Sequence, residues 1–179
     1  VLGLLQLLID KGYQFDGYWC SDDLGYRNGL MFSPRHFREL VMPAHQKVCE
    51  LCHRHGIFAI LHSCGNVNEV VDDLIEVGWD CLQPLEVKSQ MDVIQLKRKY
   101  GDRLALMGGI DVRVMADPPL PLQGGEEEAL EAEIRSKLLI AKENGGYIYH
   151  SDHSVPDNVS FQRYQRVIEL VHRYGRYDA

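Results

Sequence analysis

One rhythm constrains this chain more than any other feature. Five times, a short apolar run rich in β-branched and aromatic residues gives way to a polar or glycine-containing turn and then to a helical pattern. The runs cover 15–20, 57–62, 79–85, 104–108 and 146–150. They lack polar alternation, which predicts strands buried on both faces. The stretches between them predict helices. Residues 34–54 place Phe37, Val41, Ala44, Val48 and Cys52 at steps of three and four, with Ser33 as N-cap, Pro34 in the first turn and Gly56 as terminator. Further helices are expected over 67–77, 91–99, 126–143 and 160–173. The run Glu126-Glu127-Glu128 reads as a solvated helix start. Residues 1–11 read as a helix of a preceding unit. The long loop 112–125, rich in Pro and Gly, is of the kind that covers an active face.

Strand and helix in alternation mean a parallel sheet with helical crossovers. An open doubly wound sheet usually carries a glycine-rich phosphate turn after its first strand. Here that position holds Ser21-Asp22-Asp23-Leu24-Gly25, which argues against a dinucleotide site. The alternative is a (β/α)8 TIM barrel. Five units in 179 residues extrapolate to roughly 280 for eight, near the usual barrel length of about 250. The expectation is one domain over 1–179, forming about the last five βα units of a barrel. The opening Val in place of Met agrees with a missing upstream part. An open first edge would then predict a homo-oligomer or poor solubility.

Composition narrows the function. Hydrophobic residues at 45% and charged residues at 25% exclude a disordered tail, a collagen-like chain and a coiled coil. The net charge of −7, with no basic cluster, excludes a nucleic-acid partner. No apolar run is long enough for a membrane partner, and 1–9 lacks the marks of a signal peptide. Five cysteines, an odd number in a chain too large to need staples, favour a reducing cytoplasm.

Polar residues gather at the C-terminal ends of the expected strands, the face where parallel α/β folds build their sites. The first strand is followed by Asp22 and Asp23, the second by His62-Ser63-Cys64-Gly65-Asn66, the third by Glu86, the fourth by Asp111, and the fifth by Asp152 and His153. Residues at i and i+2 of a strand face the same way, so His62 and Cys64 can reach one metal ion, and that donor pair suits zinc. The competing reading makes His62 a backbone donor and Cys64 a small core residue. Asp22 and Asp23 suit a general acid/base pair or a turn, and Asp111 suits an acid/base role or a cap. Gly108 and Gly109 signal close approach of a ligand or of a neighbouring strand. His150 faces either the strand interior or the site. Cys49-Glu50-Leu51-Cys52-His53 imitates a haem or zinc motif, but it lies inside a helix with Cys52 on the apolar stripe. Core cysteines with a solvated His53 are expected there.

The stretches DDLGYRNGLMFSPRHFRELVMP, HGIFAILHSCGNV, GWDCLQPLE, LKRKYGDRLALMGGID and GGYIYHSDHSVPDNVS resemble, in order and spacing, the C-terminal part of the uroporphyrinogen decarboxylase superfamily. The HxCG element resembles its zinc-dependent corrinoid:thiol methyltransferase branch, the methylcobamide:coenzyme M type. The resemblance implies a (β/α)8 barrel and a zinc ion on His62 and Cys64. The position that holds a cysteine ligand in those methyltransferases falls near His153, so a histidine would serve here. Glu86 resembles the acidic zinc neighbour of cobalamin-independent methionine synthases. The implied set is therefore His62, Cys64, Glu86 and His153, with Asp22, Asp23 and Asp111 as catalytic candidates. The implied reaction is attack of a zinc-activated thiol on a methyl group carried by a corrinoid protein. Two alternatives stand beside it. One is the tetrapyrrole decarboxylase of porphyrin biosynthesis, whose functional residues lie mostly upstream, although its branch has a functional histidine in the loop of His153. The other is a non-catalytic ligand-binding barrel.

Overall fold

The computed structural model describes residues 2–116 and 126–177. Much of the loop expected to cover the active face, 117–125, therefore lies outside the described residues. Five parallel strands form one sheet: β1 (Gly17–Ser21), β4 (Phe58–His62), β5 (Cys81–Gln83), β6 (Ala105–Met107) and β7 (Tyr147–Ile148), in the spatial order β1-β4-β5-β6-β7. Spatial order equals chain order. Each crossover adds the next strand on the same side, with no reversal, so the sheet is an arc of a barrel and not a doubly wound sheet. Each strand is shorter than its apolar run, and the runs of β5, β6 and β7 extend past the hydrogen-bonded ladder at both ends.

The register fixes which residues share a face. Ser21 pairs with His62 and His62 with Gln83, while Trp19 pairs with Ile60 and Ile60 with Cys81. These residues lie on the concave face. On the convex face Ala59, Leu61, Leu82 and Leu106 are sealed beneath helices. The expectation that both faces are buried is corrected here. On the concave side Trp19, Phe58 and Ile148 are 44%, 65% and 48% exposed, while Cys81 and Gln83 are buried.

The helical layer starts with α1 (Leu2–Asp10), whose Leu5 enters the main core and which packs on α3. The helix expected over 34–54 forms in three pieces. Ser33 Oγ accepts from His36 N to cap α2 (Pro34–His36). A π-turn over Phe37–Val41 follows, and then α3 (Met42–Arg54). Pro43 supplies the physical reason. It has no N–H for the carbonyl four residues back, and the wider turn absorbs the mismatch. Next come α4 (Val71–Val77), preceded by a 3-10 turn at Asn68–Val70, then α5 (Val93–Tyr100), α6 (Glu126–Ala141) and α7 (Phe161–Gly175). A second core, with Ile110, Met115, Leu130, Ile134, Val167 and Leu170, joins α6 and α7 to the loop after β6. One element was not anticipated: a two-stranded hairpin of β2 (Gly25–Tyr26) and β3 (Gly29–Leu30). Tyr26 pairs with Gly29, so Arg27 and Asn28 form its two-residue loop.

Candidate metal centre

The site is assembled by backbone N–H groups that leave the end of β4 one after another. Ser63 N donates to Gln83 O at 2.8 Å, and Cys64 N to Asp23 Oδ1 at 2.8 Å. Gly65 N donates to Glu86 Oε2 at 2.9 Å, and Asn66 N to Tyr26 O at 2.9 Å. Ser63 Oγ accepts from Leu24 N at 3.0 Å. Four successive donors are thus tied to the neighbouring strand ends. Gly65 is required, because its φ is +81° and a Cβ there would sit 2.3 Å from the carbonyl carbon of Gly25. Gly108 answers the question posed by the sequence in favour of a neighbouring strand. A Cβ on it would stand 1.9 Å from Pro84 O.

This scaffold brings the expected ligands together around Cys64. Its sulfur lies 3.5 Å from His62 Nε2, which is 3.7 Å from Asp23 Oδ1. The donor atoms of Asp23, His62 and Cys64 all fall within 4.8 Å of one another, and so do those of Cys64, Glu86 and His153. Cys64 belongs to both groups, with His62 on one side of its sulfur and Glu86 and His153 in the other group. Asp23, read from sequence as an acid/base group, joins them. The set of sulfur, imidazole nitrogen and carboxylate oxygen is the one zinc prefers.

The electrostatics fit a cation as well. Burial pushes the Cys64 thiol up to about 11, with help from the negative charges of Asp23 and Glu86. Burial also works to raise Glu86, but hydrogen bonds from Lys88, Ser89 and Gly65 outweigh it and hold the carboxyl below its ordinary range. A buried carboxylate and a second acid beside a thiol are an arrangement that a divalent ion would stabilise. His62 Nδ1 faces Gln83 Oε1, which orients the ring and leaves Nε2 towards Cys64. Gln83 was missed in the sequence. Its only signal is its register pairing with His62.

The other strand-end acids do structural work. Asp22 Oδ2 lies 2.8 Å from Nε2 of His45, a buried residue also missed by sequence reasoning. The indole of Trp79 can only donate, and its Nε1 stands 3.2 Å from His45 Nδ1. Nδ1 of His45 therefore accepts from Trp79, and Nε2 donates to Asp22. Asp111 does not line the cavity described below. Its Oδ1 caps Arg113 N, and both oxygens engage the Arg113 guanidinium. Burial would raise its carboxyl, but the Arg113 bonds prevail and hold it down. Asp111 thus caps the turn after β6, with the guanidinium of Arg113, two residues on, reaching back to it. Asp152 accepts from Val87 N and Val112 N, both at 2.9 Å, and so ties three strand ends together.

A cavity of about 660 Å3 opens above the centre, lined among others by Trp19, His62, Cys64, Tyr149, His150 and His153. Trp19 stacks beside His62 at 6.4 Å between ring centroids. His150, left open by the sequence, belongs to this cavity.

Fold and site together define a barrel-type α/β protein with its candidate site at the strand C-termini. The model of the family "Uroporphyrinogen decarboxylase (URO-D)" matches residues 18–174, and the chain belongs to that family. Solved structures of similar fold include a methyltransferase from Methanosarcina mazei, with a TM-score of 0.63 and 18% identity. The match covers 94% of this chain and 44% of that one, so the chain spans less than half of that protein's length. No curated protein matches the chain. No helix among the described residues is long and apolar enough to cross a membrane.

Proposed function

We propose that the chain carries the metal-binding part of a zinc-dependent thiol methyltransferase site within the uroporphyrinogen decarboxylase family. The observation that carries this reading is the position of Cys64, whose sulfur is shared by both ligand groups at the cavity floor. His62, Cys64, Glu86 and His153 would hold the ion, with Asp23 as a further donor. Bound there, zinc would supply the positive charge that lowers the pKa of a thiol substrate. Gln83 orients His62, and Trp19 and Tyr149 line the cavity beside the sulfur. The methyl donor in this reading is a corrinoid on a partner protein, approaching from the open concave side. The methyltransferase fold neighbour supports the choice of branch.

The test is metal analysis of the purified full-length protein. About one zinc per chain is expected, with near-complete loss in Cys64→Ala and His62→Ala. No zinc in the wild type, and no change on Cys64→Ala, would overturn the reading. The family description favours a second reading, tetrapyrrole decarboxylation, with His153 as the loop histidine. Turnover of a carboxylated tetrapyrrole by metal-free protein would select it. A non-catalytic barrel predicts ligand binding without turnover in either assay.

A further inference from the structure

We infer that His150 is the proton acceptor of the cavity: it takes the proton that a thiol gives up on binding beside Cys64. The inference rests on the thiol reading above. Its starting point is the state of the imidazole ring. His150 Nδ1 lies 2.5 Å from the backbone carbonyl of Ser151. A carbonyl oxygen can only accept, so Nδ1 carries the ring proton and Nε2 carries the lone pair. Gln83 Nε2 stands 3.4 Å from the same Nδ1, at the outer limit of a hydrogen bond, so the shorter contact decides where the proton sits. The ring lines the cavity shared with Cys64 and His62.

The other bases of the cavity are committed. His62 Nε2 faces Cys64 and Asp23, and His153 groups with Cys64 and Glu86. Glu86 already accepts from Gly65 N and Ser89 Oγ and pairs with Lys88. The oxygens of Asp152 are taken by two backbone amides. Asp23 spends Oδ1 on Cys64 N. Asp23 is itself counted among the donors that would hold the ion. Burial holds the Tyr149 hydroxyl protonated. That leaves Nε2 of His150. In the step, the S–H bond breaks, its electron pair stays on sulfur, and an N–H bond forms at Nε2. No other reactant is needed.

The experiment uses zinc-loaded full-length protein and 2-mercaptoethanol as the probe thiol. Calorimetric titration in buffers of different ionisation enthalpy counts the protons delivered to solvent. His150→Gln should release close to one proton more per thiol bound than the wild type, with zinc content unchanged. In nitrogen-15 histidine spectra, the Nε2 resonance of His150 should move to the protonated position on thiol addition. Imidazole added to His150→Ala should return the proton count towards the wild-type value, a rescue that a merely structural role would not give. Thiol binding with equal proton counts and a still Nε2 signal overturns the inference and leaves the thiol reading intact. Zinc-loaded wild type that binds no thiol overturns both.

Discussion

Two cysteine–histidine motifs sit on consecutive elements of this chain, and their fates differ. Cys49 and Cys52 lie inside α3, with 1% and 0% of their surface exposed. Burial pushes the Cys49 thiol up to about 12, and His53 turns to the surface to meet Asp80 at 2.9 Å. Every backbone donor around them is spent within the helix, so no scaffold remains to gather further ligands. His62 and Cys64 stand where β4 runs out. There the backbone amides are free of the ladder and can bind Asp23 and Glu86 instead. The candidate ligands gather at the free strand end, and motif spelling alone does not gather them.

The comparison breaks most completely at Gly65. Gly65→Ala puts a Cβ into the backbone of Gly25 at a left-handed φ. The expected cost is on the order of 3 kcal/mol or more, read by chemical denaturation, with loss of metal binding at Cys64. A Gly65→Ala protein of wild-type stability would show that the strand-end amides do not build the site. Gly56→Ala serves as the control. It also has a positive φ but meets nothing within 4 Å, so it should keep the metal site.

A milder pair of substitutions separates the two motifs by what is lost. Cys52→Ala opens a small core cavity, with an expected cost of about 1–2 kcal/mol, below the range for deleting a larger aliphatic side chain. Its metal content should not change. Cys64→Ala is expected to cost under about 1 kcal/mol of stability at its half-exposed position while abolishing zinc retention. Denaturation midpoints and metal stoichiometry on both variants check the crossing. Zinc loss in Cys52→Ala would put the helical motif back in contention.

The same contrast governs what the sequence discloses. Period and punctuation were enough for five parallel strands, their helices and the face that carries chemistry, because each is a local signal repeated along the chain. That His62, Cys64, Glu86 and His153 come near one another was legible because strand ends of a parallel sheet converge, and their donor atoms fall into two groups that share Cys64. Three things were not legible. The capture of Asp22 by His45 depends on how α3 lies against β1 and on Trp79 from another unit. Gln83 acts through register, which no single strand encodes. Asp111 looked like its fellow acids until Arg113 folded back on it. In each case a contact between elements decides the role, and it leaves no mark on the residue's own neighbourhood.

The smallest expected effect is kinetic, and it compares the two thiols directly. In metal-free protein, Cys64 is half-buried beside the cavity with its pKa raised to about 11. A raised thiol pKa withholds the thiolate at neutral pH, so roughly one part in a thousand is reactive at pH 8. Alkylation of Cys64 by iodoacetamide should therefore be slow at pH 7 and should rise about tenfold per pH unit as pH climbs towards that value. Cys49 and Cys52 should stay unlabelled across the same range, because the reagent reaches them only on unfolding. Added zinc should flatten the Cys64 profile, since a bound ion displaces the thiol proton and shields the sulfur. Peptide mapping of the labelled sites at each pH reads all three outcomes. Rapid Cys64 labelling at pH 7 in metal-free protein would mean that burial, and with it the carboxylates of Asp23 and Glu86, does not act on the sulfur as the site requires.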